Sequence, residues 1–252
     1  MTDLELAHAL ADAAGAAIRP WFRRAFLVET KEDFSPVTIA DREAEAAIRR
    51  LLEEHRPDDG VIGEEYGDDR PDAARVWVLD PIDGTRAFVA GRPLFGTLIG
   101  LMERGRPVLG VIDQCIIGDR WIAGPDQPTT LNGQRCHVRA CADLAAARAG
   151  TTSPQAFPAK DFPRFEALRP ALADVLYGGD CHNYGLVAAG HLDAVVESGL
   201  KLHDWAALVP VIEGAGGTIT DWAGAPLHQG SSGHVIAAGD ARIAAALADR
   251  LG

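Results

Sequence analysis

The segment Asp80-Pro81-Ile82-Asp83-Gly84-Thr85 holds the densest potential chemistry in the chain. Two carboxylates three residues apart follow the apolar run Val76-Trp77-Val78-Leu79, which reads as a buried strand. Pro81 fixes φ and donates no hydrogen bond, so the ladder is expected to end and the chain to turn there. Such a turn aims Asp80, the Ile82 carbonyl and Asp83 at one point. Gly84 lets backbone approach a ligand, and Thr85 adds a hydroxyl where a helix begins with free N–H groups. Clustered carboxylate and carbonyl oxygens suit a hard cation, and the helix start beside them suits a phosphate.

Three further acidic positions belong with this segment. Glu64, in Gly63-Glu64-Glu65 after Val61-Ile62, stands at another strand end. Asp41 lies at the start of a predicted helix, where its charge also complements the helix dipole. Asp204 is expected to open a later helix just after His203, a position equally suited to an N-cap. Taken singly, each Asp fits an ordinary turn or cap. Capping does not account for all of them together with Glu64.

The elements that must position these groups follow from periodicity. Helical apolar spacing runs over residues 4–24 and again over 38–55, with a loop at 31–37 between them. A short strand leads into Gly63-Glu64-Glu65, and a polar excursion precedes the buried run 76–79. Strand-like pieces at 94–102, 108–113 and 120–123, joined by turn-like spacers, predict an antiparallel meander. Residues 125–141 read as a connection. Beyond it strands (148–151, 192–198, 218–221, 234–238) alternate with helices (162–173, 183–189, 204–213 and one opened by Asp240). The fold class is α/β: an α+β half, about 1–130, then an α/β half, about 131–252, sharing one continuous core.

Composition narrows the function classes. Apolar residues make up 47% of the 252, enough for a substantial core. The net charge of −12 argues against a nucleic-acid partner, whose backbone demands clustered cations. No apolar stretch approaches the roughly 20 residues of a membrane span. The N-terminus lacks a secretory signal pattern, and four cysteines without CxxC spacing read as reduced, buried thiols, so a cytoplasmic location is expected. The run Gly214–Gly217 follows a helix, so it reads as a C-cap and not as a phosphate loop.

The set GEE, DPIDGT and a late Asp before GAGG resembles the inositol monophosphatase-like, magnesium-dependent phosphatases, in the right order over nearly the whole chain. The segments SPVTIAD, RPLFGTLIGL and YGGDCHNYGLVAAGHLDAVVESGLKLHDWAALVPVIEGAGG look most like the histidinol-phosphatase branch. The resemblance implies a single phosphatase domain over 1–252, a layered αβαβα sandwich and a homodimer. It also implies two or three Mg²⁺ ions, with Mn²⁺ as a substitute. Glu64, Asp80 and the Ile82 carbonyl would hold one ion, and Asp80, Asp83 and Asp204 a second. Asp41 and Thr85 would orient the attacking water. Backbone around Gly84 and Thr85 would hold the phosphate, while Gly178, Gly179, Asp180 and Glu197 would face the alcohol.

The implied reaction is hydrolysis of a small phosphorylated metabolite: L-histidinol phosphate to L-histidinol and phosphate, in histidine biosynthesis. An inositol monophosphatase or broad sugar-phosphate phosphatase is the alternative on the same chemistry, and a metal-binding regulatory partner without turnover is the alternative from another class. Against the inositol type, this chain has His203 before the last metal Asp and Trp205 after it, where that type has Trp before. It also has Asp180 where that type has a small residue. His203, Arg86 and Arg92 lie near enough in sequence to contact the site, and surface or packing roles are open to each.

Overall fold

The structure is a computed structural model that describes residues 1–25, 27–30 and 36–252; the loop expected at 31–37 therefore lies, up to residue 35, outside the described residues. Helix α1 (Asp3–Ile18) opens on a Thr2–Glu5 capping box and buries Leu6, Leu10, Ala14 and Ile18. It stops short of residue 24 because Pro20 cannot continue the ladder, and Trp21 and Phe22 pack onto the same core from the turns beyond. The short antiparallel pair β1 (Val28–Thr30) and β2 (Pro36–Thr38) precedes α2 (Ile39–His55). Strands β3 (Gly60–Gly63), β4 (Gly67–Asp69) and β5 (Arg75–Asp83) follow, then the short α3 (Thr85–Val89). The meander is β6 (Gly96–Glu103), β7 (Arg106–Gln114), β8 (Asp119–Gly124), β9 (Gln127–Leu131) and β10 (Gln134–Arg135).

The second half contains β11 (Arg148–Thr151), α4 (Phe162–Leu168), β12 (Asp174–Tyr177), α5 (Cys181–Ala188) and β13 (Ala194–Glu197). It closes with α6 (Leu202–Trp205), α7 (Leu208–Gly214), β14 (Thr218–Thr220), β15 (Val235–Ala238) and α8 (Ala241–Leu251). An eight-stranded sheet in the order β10-β9-β8-β7-β6-β5-β3-β4 and a five-stranded sheet in the order β12-β11-β13-β15-β14 carry the fold. Only the β3–β5, β11–β12 and β11–β13 pairings of these sheets are parallel.

Burial on both faces of the strands separates the apolar residues into three layers instead of one continuous core. Along β5, Val76 and Val78 enter the layer shared with α5 and α7, while Trp77 and Leu79 enter the layer under α1 and α2. Along β13 and β15, Val195, Val235 and Ala237 face the shared layer, and Ala194, Val196, Ile236 and Ala238 face α8. Helices, sheet, helices, sheet and helices therefore stack as the αβαβα sandwich.

Four further sequence expectations need correction. The stretch 125–141 is no plain connection: positive φ at Asp126, Asn132 and Gly133 makes tight turns, and β9 and β10 extend the meander through them. The ladder does not end at Pro81. It continues to Asp83, paired with Gly96, across an irregularity between Asp80 and Asp83. Strand β12, missed beside the predicted helix, adds an exposed edge. The helix expected at 204–213 is two helices, with Asp204 inside the first and Pro210 inside the second.

That last break has a cause in the sheet. Gly100 and Gly110 face each other in β6 and β7, and a Cβ on Gly100 would meet the backbone of Ala206 and Ala207 at 3.1–3.2 Å. On Gly110 it would overlap Ala207 outright. The paired glycines let the α6–α7 junction dock directly on the sheet, which fixes where Asp204 stands.

Candidate active site

Carboxylates from β5 and α6 converge at the sheet's end. Single oxygens of Asp80, Asp83 and Asp204 lie within 4.8 Å of one another. The β5 irregularity makes this possible, because a bulge breaks strict alternation and re-aims side chains. Thr97 Oγ1 donates to Pro81 O at 2.8 Å, and Ile82 N donates to Asp80 Oδ1 at 3.0 Å, so the loop is held from both sides. Glu64 stands outside this triad, yet close enough for its charge to act on Asp80, Asp204 and Asp41.

Two of the acidic side chains are anchored by the same local device. Asp41 is the third residue of α2, and its Oδ2 accepts from Thr38 N at 2.8 Å and from Thr38 Oγ1 at 2.5 Å. Asp204 is the third residue of α6, not its cap, and its Oδ2 accepts from Lys201 N at 2.6 Å. Each is half of a capping arrangement that takes up Oδ2 and leaves Oδ1 for other partners. Asp41 Oδ1 lies 3.4 Å from Thr85 Oγ1, which also lies 3.0 Å from Ile82 O. With one hydroxyl proton, Thr85 can serve only one of these acceptors at a time.

Burial dominates the electrostatics, pushing Asp80 and Asp83 well above the usual carboxylate range. Glu64, Asp83 and Asp204 add to it at Asp80, and Asp180 and Asp204 at Asp83. Asp204 moves up for the same first reason, partly offset by His203, whose Nε2 lies 3.6 Å from its Oδ1. Gathering these groups without a counter-charge is costly, and a cation relieves it. All the donors are oxygens, as Mg²⁺ or Mn²⁺ requires, so the residues present fit the implied metal.

Beside the triad opens a cavity of about 340 Å³. Its walls include Asp83, Gly84, Thr85, Asp180, Glu197 and Asp204, so both sheets contribute. Arg86 is on the rim, whereas Arg92 is exposed and outside the lining. Gly178 and Gly179 do not line it either. With φ of 87° and 116° they make the turn, and Asn183 Nδ2 holds that turn through Gly178 O at 2.9 Å. Asp180 follows at φ 46°, at the N-cap position of α5 but with no capping hydrogen bond. A Cβ on Gly84 would come within 3.1 Å of its Oδ2. Burial first, then the charge of Glu197, pushes Asp180 up to about 7.

Glu197 ends β13 with both oxygens engaged. Thr152 N and Oγ1 donate to Oε1 at 2.9 and 2.5 Å, and Tyr184 OH donates to Oε2 at 2.8 Å. Sequence reading missed these supports, together with Glu45. That buried carboxylate accepts from Glu65 N at 2.8 Å and Tyr66 N at 3.2 Å, so it pins the turn carrying Glu64. The Thr38–Asp41 spacing is a readable capping signature; Thr152 and Tyr184 left no local signal. His182 packs against Trp121 and away from any ligand role.

Comparison with known proteins bears on this geometry. The inositol monophosphatase family model matches residues 2–251. The Arabidopsis thaliana protein named bifunctional phosphatase IMPL2, chloroplastic, is 47% identical over 245 residues, covering 94% of this chain and 71% of that one. A histidinol-phosphatase of Mycobacterium tuberculosis is 38% identical over 238 residues, covering 91% and 92%. A solved structure of an inositol monophosphatase from Zymomonas mobilis superposes with a TM-score of 0.91 at 52% identity, covering 99% and 97%.

Proposed function

Because the chain belongs to the inositol monophosphatase family, we propose that it is a Mg²⁺-dependent phosphate-monoester hydrolase whose substrate is L-histidinol phosphate. The observation that carries the substrate is Asp180. Its backbone occupies a region that L residues rarely adopt, and strain of this kind persists where function demands it. The result is a carboxylate packed against Gly84 of the metal loop, with Glu197 across the same cavity. Two carboxyl groups beyond the metal triad, which a bound cation would draw into their ionised form, suit an alcohol that bears a cationic amine, as histidinol does and inositol does not.

Glu64, Asp80, Asp83, Asp204 and the Ile82 carbonyl would hold the ions. When bound, Mg²⁺ supplies charge neutralisation of the phosphate and acidifies the attacking water. Asp41 takes the water's proton through the Thr85 hydroxyl, with Thr38 fixing the Asp41 rotamer. Backbone N–H groups at Gly84 and Thr85 orient the phosphoryl oxygens, and Asp180 and Glu197 seat the leaving alcohol. Uncatalysed phosphate-monoester hydrolysis is slow enough to need accelerations of up to ~10²¹. An acid–base pair alone gives about 10²–10⁴, so positioning and charge must provide the rest.

The 52% identical inositol monophosphatase structure favours a second reading, in which an inositol or sugar phosphate is preferred. On either reading a homodimer in the cytoplasm accompanies the family assignment as a proposal; among the described residues no helix is long and apolar enough to cross a membrane. Phosphate release from L-histidinol phosphate with Mg²⁺, abolished by a chelator and restored by added Mg²⁺, tests the proposal. No release under any metal condition refutes it.

A further inference from the structure

Behind Glu197 lies a polar knot that the proposed reaction does not use. Asp161 is 1% exposed and occupies the N-cap position of α4, yet its side chain makes no cap bond. An Asp at that position ordinarily accepts from the first turn of its own helix. Here Oδ2 instead accepts from Ser198 Oγ at 2.7 Å and from His234 Nε2 at 3.0 Å. Burial works against the charge, but these two bonds outweigh it and hold Asp161 below its ordinary value, so the group is a carboxylate. His234 in turn stacks on Trp222, with ring centroids 4.4 Å apart and planes at 13°. Trp222 Nε1 donates to the Glu197 carbonyl at 3.0 Å.

Two routes from Asp161 therefore end at Glu197. One runs through Ser198, the next residue in the chain, and the other through His234 and Trp222 to the Glu197 main chain. The segment carrying Asp161 also continues from the cavity wall at Thr151–Phe157, and Phe157 packs on Phe165 and Trp222. A capping residue diverted from its helix toward the end of β13 has its effect there.

We propose that Asp161, with His234, is a positioning residue that sets substrate affinity by fixing Glu197, without touching the substrate; this rests on the reading that Glu197 seats the alcohol. Asp161→Asn keeps the shape but weakens both bonds. His234→Phe keeps the stack on Trp222 and removes one bond, and serves where Asp161→Asn fails to fold.

The test is steady-state kinetics of the Mg²⁺-loaded enzyme on L-histidinol phosphate and on methyl phosphate, which lacks the distal groups. Asp161→Asn should raise KM for histidinol phosphate by about tenfold, keep kcat, and leave methyl phosphate kinetics unchanged. His234→Phe should give a smaller shift of the same kind. In a Glu197→Gln background the Asp161→Asn effect should vanish, because groups acting through one another are not additive. Equal losses on both substrates, or additive losses in the double variant, overturn the inference while leaving the reading of Glu197 intact. A Glu197→Gln variant with unchanged histidinol phosphate kinetics removes that reading, and this inference with it.

Discussion

The main-chain N–H of Cys181 donates to Asp83 Oδ2 at 2.6 Å, so the first turn of α5 holds a carboxylate at the end of β5. Cys181 reaches that point because Gly96 has no side chain: a Cβ there would lie 2.7 Å from the Cys181 sulfur. The bond ties the five-stranded half to the metal loop, and it places Asp180, the preceding residue, beside Gly84.

Asp83→Asn keeps this acceptor and the volume but removes the charge. Turnover should fall by roughly 10²–10³-fold or more, the scale on which a single preorganised charge contact acts. The metal-free protein should melt no lower than the wild type, since burial, Asp180 and Asp204 all disfavour ionised Asp83. Phosphate release and thermal melts in chelator check both halves. Near-normal turnover at saturating Mg²⁺ would remove Asp83 from the metal site.

Stability without metal should depend on pH in a defined direction. Asp180 is pushed from 3.8 up to about 7 by burial and by Glu197, and Asp80 and Asp83 move the same way. Groups with a higher folded than unfolded pKa favour the fold while protonated. That contribution is complete below about pH 4 and is lost as pH rises through about 7. The chelated protein should therefore melt lower at about pH 8 than at about pH 5.5, and Mg²⁺ should reverse most of the difference. A chelated protein whose melting temperature climbs across that range contradicts the electrostatics given for the site.

Asp180→Asn tests substrate choice. Charge-assisted hydrogen bonds contribute ~1.5–3 kcal/mol, so kcat/KM for histidinol phosphate should drop roughly 10- to 150-fold. A small uncharged monoester should be nearly unaffected. Equal losses on both would assign Asp180 to the metals or the fold.

Glu45 offers a test away from the metals. Its carboxylate takes the N–H groups of Glu65 and Tyr66 and pairs with Arg49 at 2.7 Å. Glu45→Gln should raise the Mg²⁺ concentration for half-maximal activity by about 10- to 100-fold, the usual scale for groups that orient metal ligands, with kcat at saturation largely kept. An unchanged Mg²⁺ titration would show that Glu64 needs no such support.

The carboxylates were legible in the sequence because each sits at a recognisable boundary: Asp80 after a buried run, Asp41 three residues past Thr38, Asp204 before an apolar helix. The convergence of Asp204 with Asp80 and Asp83 was expected from the resemblance and not from spacing, since it depends on the β5 bulge and on the facing glycines Gly100 and Gly110, which look like ordinary strand residues. Strands β9 and β10 were hidden in polar sequence, although Asn132-Gly133 marked the turn between them. The hydrogen bonds of Glu197 to Thr152 and Tyr184 join distant segments, so no local pattern announces them. Asp180 was expected beside the alcohol on the resemblance alone; its φ of 46° and its contact with Gly84 show what holds it there and out of the N-cap bond its position offers.

Selection of an amine-bearing alcohol by a Mg²⁺-dependent hydrolase is read from kcat/KM for L-histidinol phosphate and for inositol 1-phosphate, measured on one preparation. Histidinol phosphate should be preferred by at least about tenfold, the lower end of what one charge-assisted contact provides, and chelation should abolish both activities. Equal constants, or a preference for inositol 1-phosphate, would contradict it.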